Sequence, residues 1–172
     1  MTNRQVTAGL YQRVSTTDHD TARQHDANRR AAHAHGWRVV EYCDDGIGAS
    51  SRSHVKLSGA SRPDYRAMRA AVTDGTLGVL VVHDVSRADR QLETWSALLA
   101  DCRRHGVLIH VTGDDETYDP RKANHWRTLA TAGINAESDS LVKGDQIKSG
   151  IAYWRSQGHP QGRLTYGIAR RR

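Results

Sequence analysis

The pentapeptide Tyr11-Gln12-Arg13-Val14-Ser15 sets a hydroxyl two residues after a guanidinium. Side chains two apart on a strand point to the same side. Arg13 and Ser15 therefore face one ligand if a strand persists to its end. A serine beside a fixed cation suits attack on a phosphate, because the cation favours the alkoxide and neutralises charge on the phosphoryl oxygens. A second run, Asp84-Val85-Ser86-Arg87-Ala88-Asp89-Arg90, holds two arginines three apart, and one helical turn brings them to the same face. Arg62 stands just before Pro63, at the end of a Gly/Ser-rich stretch. The pentapeptide alone also fits a surface serine at a strand end. One hydroxyl with four guanidiniums is a stronger signal, since arginine suits bidentate phosphate contact.

These residues need a scaffold, and the pattern supplies one. Val6, Ala8 and Leu10 lead into the pentapeptide as a first strand over residues 6–14. A polar turn follows, then a helix to His35 with Ala22, Ala27, Ala31 and Ala32 as its small apolar side, closed by Gly36 at the C-cap position. Trp37–Tyr42 alternates as a second strand, and residues 43–62 lose all periodicity. Pro63 falls at the first turn of a helix that runs through Tyr65, Met68 and Val72 to Asp74-Gly75. Leu77–Val82 is a continuous apolar run, as in a strand covered on both faces. A helix from about Gln91 and a fourth strand, Val107–Val111, complete the alternation.

Strand and helix in alternation predict an α/β fold with a mostly parallel central sheet of about four to five strands flanked by helices. From Asn124 the pattern turns helical for a long way, with Gly133, Gly144 and Gly150 as weak points. The expected organisation is a core over residues 1–123, a long C-terminal helix over 124–157, and a linker or the start of a further module over 158–172. In open α/β sheets ligands bind beyond the carboxyl ends of strands, where Ser15 and Arg87 would share a rim.

Twenty-five Lys and Arg against 19 Asp and Glu give 172 residues a net charge of +6, which suits a polyanionic partner. Two cysteines, Cys43 and Cys102, with no CxxC spacing exclude a zinc ribbon or a redox motif. No apolar run spans a bilayer, and no h-region opens the chain, so a cytoplasmic location is expected. The histidines lack HExxH spacing, and His33 and His35 diverge on a helix. Asp114-Asp115-Glu116 reads as a solvated turn. No metal or other cofactor is expected, and arginines would carry the transition-state charge.

YQRVS, ASRPDY and DVSRADR resemble the catalytic domain of the serine recombinases, the resolvase, invertase and large serine integrase family. Each piece is weak alone, and the set is specific over about residues 6–157. The resemblance implies a resolvase-like fold and a site-specific DNA recombinase that works through a 5′-phosphoserine link, without metal or ATP. It makes Ser15 the nucleophile and Arg13, Arg62, Arg87 and Arg90 the phosphate-binding residues. Tyr11, Gln24 and Asp44 match supporting positions. The long helix matches a dimer helix that also crosses the DNA. Double-stranded DNA, a homodimer in solution and a homotetramer in the synaptic complex are the implied partners, in a prokaryotic or phage-encoded setting. GRLTYGIARRR resembles the opening of the domain that follows in large members, so Arg163, Arg170, Arg171 and Arg172 are expected to touch DNA.

The sequence departs from the family at several points. Ser86 replaces the usual Asp before the first arginine of the second motif, and His19 replaces a common Gln. Glu137-Ser138 stands for a Glu-Arg pair, and Gly144 for a charged residue. Three rival readings remain: a catalytically decayed DNA-binding or assembly protein, a hydrolase using Ser15 with His83 and Asp84, and a metal nuclease. The first conflicts with Ser15 and four arginines, the second lacks G-x-S-x-G, and the third lacks acidic spacing.

Overall fold

A computed structural model describes residues 5–15, 19–46, 62–85 and 92–159. Among these described residues the elements in order are β1 (Thr7–Ser15), α1 (His19–Ala34), β2 (Arg38–Gly46), α2 (Pro63–Thr73), β3 (Val79–Val82), α3 (Leu92–His105), β4 (Leu108–Val111), β5 (Glu116–Tyr118) and α4 (Ala123–Ser156). The sheet order is β2-β1-β3-β4-β5. The first four strands pair in parallel, and β5 returns antiparallel along β4. The expected α/β architecture is present, with β5 as an edge strand that short polar sequence hides. Glu116 opens that strand, so two residues of the acidic run lie in the turn and the third in the ladder.

β3 is buried along its whole length because it lies inside the sheet and both faces are covered. One face carries Ala8, Leu10, Val79 and Val81 against Ala32 of α1. The other carries Tyr11, Leu80, Val82, Ile109 and Val111 under α2, α3 and the first turns of α4. Alternation along each strand assigns these sets to opposite faces. The α1 layer is thin, as its alanines require. Only Ala32 of the four is fully buried, Ala22 is exposed, and Asn28 takes an inward place instead. His110 is buried on the α1 face beside His35, and burial, then His35, pushes its pKa down.

Two starts and stops follow from local chemistry. Gly36 closes α1 at φ 68°, a left-handed conformation cheap for glycine. Pro63 opens α2, where its missing N–H has no helical partner to lose. β2 runs to Gly46, four residues beyond the expected end, because β1 continues beside it as far as Ser15.

The chain divides into two compact units, Met1–Glu137 and Ser138–Arg172. In the first, Trp95 donates its indole N–H to the Leu129 carbonyl at 3.0 Å, and a Cβ at Gly133 would collide with the same ring. Gly133 therefore permits the close approach of α4 to α3, and the helix passes through it unbroken. Gly144 and Gly150 also lie within α4 without interrupting it. In the second unit Leu141, Val142, Ile147, Tyr153 and Trp154 of α4 are exposed. Among the described residues no helix is long and apolar enough to cross a membrane.

Candidate active site

The parallel register aligns the end of β1 with the end of β2. Arg13 stands opposite Asp44, and Ser15 opposite Gly46. Two residues before Arg13, Tyr11 is buried on the α2 face, 3% exposed. Its hydroxyl donates to Asp44 Oδ2 at 3.0 Å. Asp44 is itself buried, and it accepts two further hydrogen bonds. The Asp64 backbone N–H reaches Oδ1 at 3.1 Å, and that of Tyr65 reaches Oδ2 at 3.1 Å.

Those two N–H groups are the second and third of α2. A helix begins with N–H groups that have no intrahelical acceptor, and a side chain at the N-cap usually serves them. Here the N-cap is Arg62, which makes no such bond. Asp44 does so from β2. Pro63 has no N–H, and the Arg66 N–H reaches the Arg62 carbonyl at 3.2 Å. Asp64 completes the exchange, its Oδ2 accepting the Cys43 backbone N–H at 2.9 Å. The carboxylate also suits the positive end of the helix dipole.

The result fixes Arg62. Its guanidinium carbon lies 5.9 Å from the Tyr65 ring centroid, within cation–π range. Tyr65 meets the Tyr11 ring edge-on at 5.4 Å and donates its hydroxyl to the Thr94 carbonyl at 3.3 Å. Arg62 is half-exposed above this buried pair. Its charge thus sits on an aromatic base close to the carboxylate-held start of α2.

Of the residues expected from sequence, Tyr11, Asp44 and Arg62 are brought together. Gln24 lies half-buried on α1 with no hydrogen bond to that group among the described residues. The backbones of Arg13 and Ser15 are placed by the register; their side chains lie outside the described residues. Ser86, Arg87, Arg90, Arg163, Arg170, Arg171 and Arg172 also lie outside them. Sequence reasoning missed Asp64 and Tyr65. The acid directly after Pro63 was the available signal, since carboxylates favour first helical turns.

His83, weighed above as a base, belongs to the other face. Its Nδ1 lies 3.1 Å from Thr112 Oγ1, and Thr112 donates to Asn28 Oδ1 of α1 at 2.7 Å. His83 is thereby tied to α1, while Tyr11, Asp44 and Arg62 share the α2 side. No Ser-His-Asp geometry is assembled from these parts among the described residues.

The family model for the resolvase N-terminal domain matches residues 8–160. The chain belongs to the resolvase family. By that membership it is a serine site-specific recombinase, of a class that acts on DNA. Two solved structures share the fold. The N-terminal catalytic domain of TP901-1 integrase superposes with a TM-score of 0.53 at 19% identity, covering 79% of this chain and 98% of that one. A resolvase family site-specific recombinase from Streptococcus pneumoniae gives 0.55 at 21% identity, covering 88% and 99%. No curated protein matches the chain.

Proposed function

We propose that this resolvase-family domain cuts and rejoins DNA through Ser15, without metal or ATP. Ser15 Oγ attacks the scissile phosphorus as its proton leaves. An O–P bond to Ser15 forms, the bond to the 3′ oxygen breaks, and that oxygen takes up a proton as a free 3′-hydroxyl. Religation runs the same exchange backwards, so the phosphoserine ester conserves the bond energy. Arg13, Arg62, Arg87 and Arg90 neutralise the phosphoryl oxygens. Tyr11 and Asp44 are positioning residues that act by holding Arg62, and Gln24 and Ser86 complete the proposed surroundings.

One observation carries the reading furthest. A buried carboxylate beside the Arg13 position holds the first turn of the helix that begins after Arg62. This arrangement supports a site that draws on both Arg13 and Arg62. For assembly, the exposed Leu141, Val142, Ile147, Tyr153 and Trp154 of α4 offer apolar surface to a second copy. We assign residues 1–123 to catalysis, 124–157 to dimer and tetramer contacts and DNA crossing, and 158–172, with Arg163, Arg170, Arg171 and Arg172, to backbone contact with double-stranded DNA.

The test is a suicide-substrate assay on the chain fused to a DNA-binding module, with a nicked duplex in EDTA. A covalent protein–DNA band that disappears in Ser15→Ala is the expected result. A folded, DNA-bound protein that forms no band would favour a decayed relative, and a band that persists in Ser15→Ala would mean a different nucleophile.

A further inference from the structure

On the α1 face of the sheet, three residues from three separate segments converge. His110 lies on β4, His35 directly follows α1, and Asp115 lies in the turn between β4 and β5. One ligand atom from each falls within 4.8 Å of the others. His110 is fully buried, and its Nε2 has no hydrogen-bond partner among the described residues. The nearest charge is Asp115 Oδ1 at 3.9 Å, too far for a hydrogen bond. A buried ring nitrogen left in that state is costly, and native interiors rarely tolerate one without a reason.

The other half of the ring is well cared for. His110 Nδ1 lies 2.9 Å from Thr117 Oγ1 on β5. A bond there with Nδ1 as donor fixes the ring and makes Nε2 the lone-pair nitrogen, on the side of His35 and Asp115. Metal-ligating histidines are held in this way, by a partner on the second ring nitrogen. His35 is oriented too, stacked on Trp37 at 4.3 Å with the planes 9° apart.

We propose that His110 Nε2, a ring nitrogen of His35 and the Asp115 carboxylate bind one divalent zinc-class ion. Two imidazoles and a carboxylate are borderline N/O donors, which suit zinc and its neighbours rather than magnesium or calcium. Three protein ligands leave the fourth tetrahedral position to water. Bonds near 2.0–2.1 Å separate tetrahedral donors by roughly 3.3 Å, so the ligands must close inward by up to about 1.5 Å. His35 and Asp115 are exposed, the latter with 88% of its side chain accessible, so rotamer changes on the surface supply that closure against a fixed His110. The ion would staple the end of α1 and the β4–β5 turn to the sheet. It lies across the sheet from Tyr11 and Asp44 and takes no part in the proposed cleavage.

Spacing within one element could not have revealed this site. His35 and His110 are 75 positions apart, and only the sheet and α1 bring them together.

The test uses the tag-free full chain after chelator treatment. Co2+ is titrated in and read by its visible absorption, then displaced by Zn2+. One equivalent with a tetrahedral band, bleached by Zn2+, is expected. His35→Ala and Asp115→Asn change exposed residues and should leave the fold intact while weakening the ion at least tenfold. Thr117→Val should weaken it by about 10–100-fold through loss of ring orientation. Because the chain has ten histidines, His105→Ala serves as the control and should bind as the parent does. No stoichiometric ion, an octahedral spectrum, or unchanged binding in both His35→Ala and Asp115→Asn would overturn the proposal. The readout needs no DNA, so it stands or falls apart from the recombinase reading.

Discussion

Removal of the Asp44 carboxylate should strike three donors at once. Tyr11 Oη and the N–H groups of Asp64 and Tyr65 all point at it, between 3.0 and 3.1 Å. Asp44 is 7% exposed, so water does not readily replace it. Losing a helix N-cap costs about 0.5–2 kcal/mol. Taking the charged acceptor from the buried Tyr11 hydroxyl adds about 1–3 kcal/mol. Asp44→Ala should therefore cost about 1.5–5 kcal/mol in total. At roughly 2–4 °C per kcal/mol for a domain of this size, Tm should fall by about 3–20 °C. Tyr11→Phe alone should cost about 1.5–3 kcal/mol, as a hydrogen bond to a charged acceptor. In the Asp44→Ala background the same change should cost much less, because the charged acceptor is already gone. The double-mutant cycle, read by urea unfolding and circular dichroism, should give a coupling of about 1–3 kcal/mol. Additive losses, or an Asp44→Ala protein as stable as the parent, would refute the capping role.

Gly133→Ala should destabilise the first unit. Overpacking against Trp95 costs about 1–3 kcal/mol, more than the ~1 kcal/mol that alanine gains in helix propensity. Gly144→Ala and Gly150→Ala meet open space and should each stabilise α4 by about 0.5–1 kcal/mol; thermal unfolding of the three side by side checks the opposite signs. Hydrogen bonds from Arg121 hold the Asp119 carboxyl down at about 2. A depressed carboxylate contributes stability above its unfolded value, lost as pH falls toward 2, so Asp119→Asn should flatten the loss of urea resistance between pH 4 and 2. Burial pushes the Cys102 thiol up to about 12, so in the folded chain at pH 8 it should resist a disulfide reagent and react only after unfolding; rapid native modification of Cys102 would contradict its packing.

The parts of the fold written as period and punctuation were readable in advance. The apolar run at residues 79–82, the Gly36 stop and the Pro63 start each act through local sterics or burial, and each holds its place. β5 was not readable, because three residues carry no period and their pairing depends on β4 beside them. The end of β2 was misjudged for the same reason: Cys43–Gly46 is polar and becomes strand only through β1. At the site, Tyr11, Asp44 and Arg62 were named through family resemblance, but nothing in their spacing disclosed that one caps the helix that follows another. Gly133 looked like a helix breaker until Trp95 gave it a purpose.

The helix start supplied by Asp44 has a consequence for how this chain tolerates change. The residue at the head of a helix is ordinarily confined to a few short polar types. Here that restriction is carried instead by a strand residue 18 positions earlier in the chain. Position 62 is thereby released from the short polar types a helix head usually demands, and Arg62 can use its side chain elsewhere, over Tyr65 among other contacts. A library at 62 should yield folded proteins of many kinds that differ in what they do. A library at 44 should yield few folded proteins, and almost none that differ in chemistry.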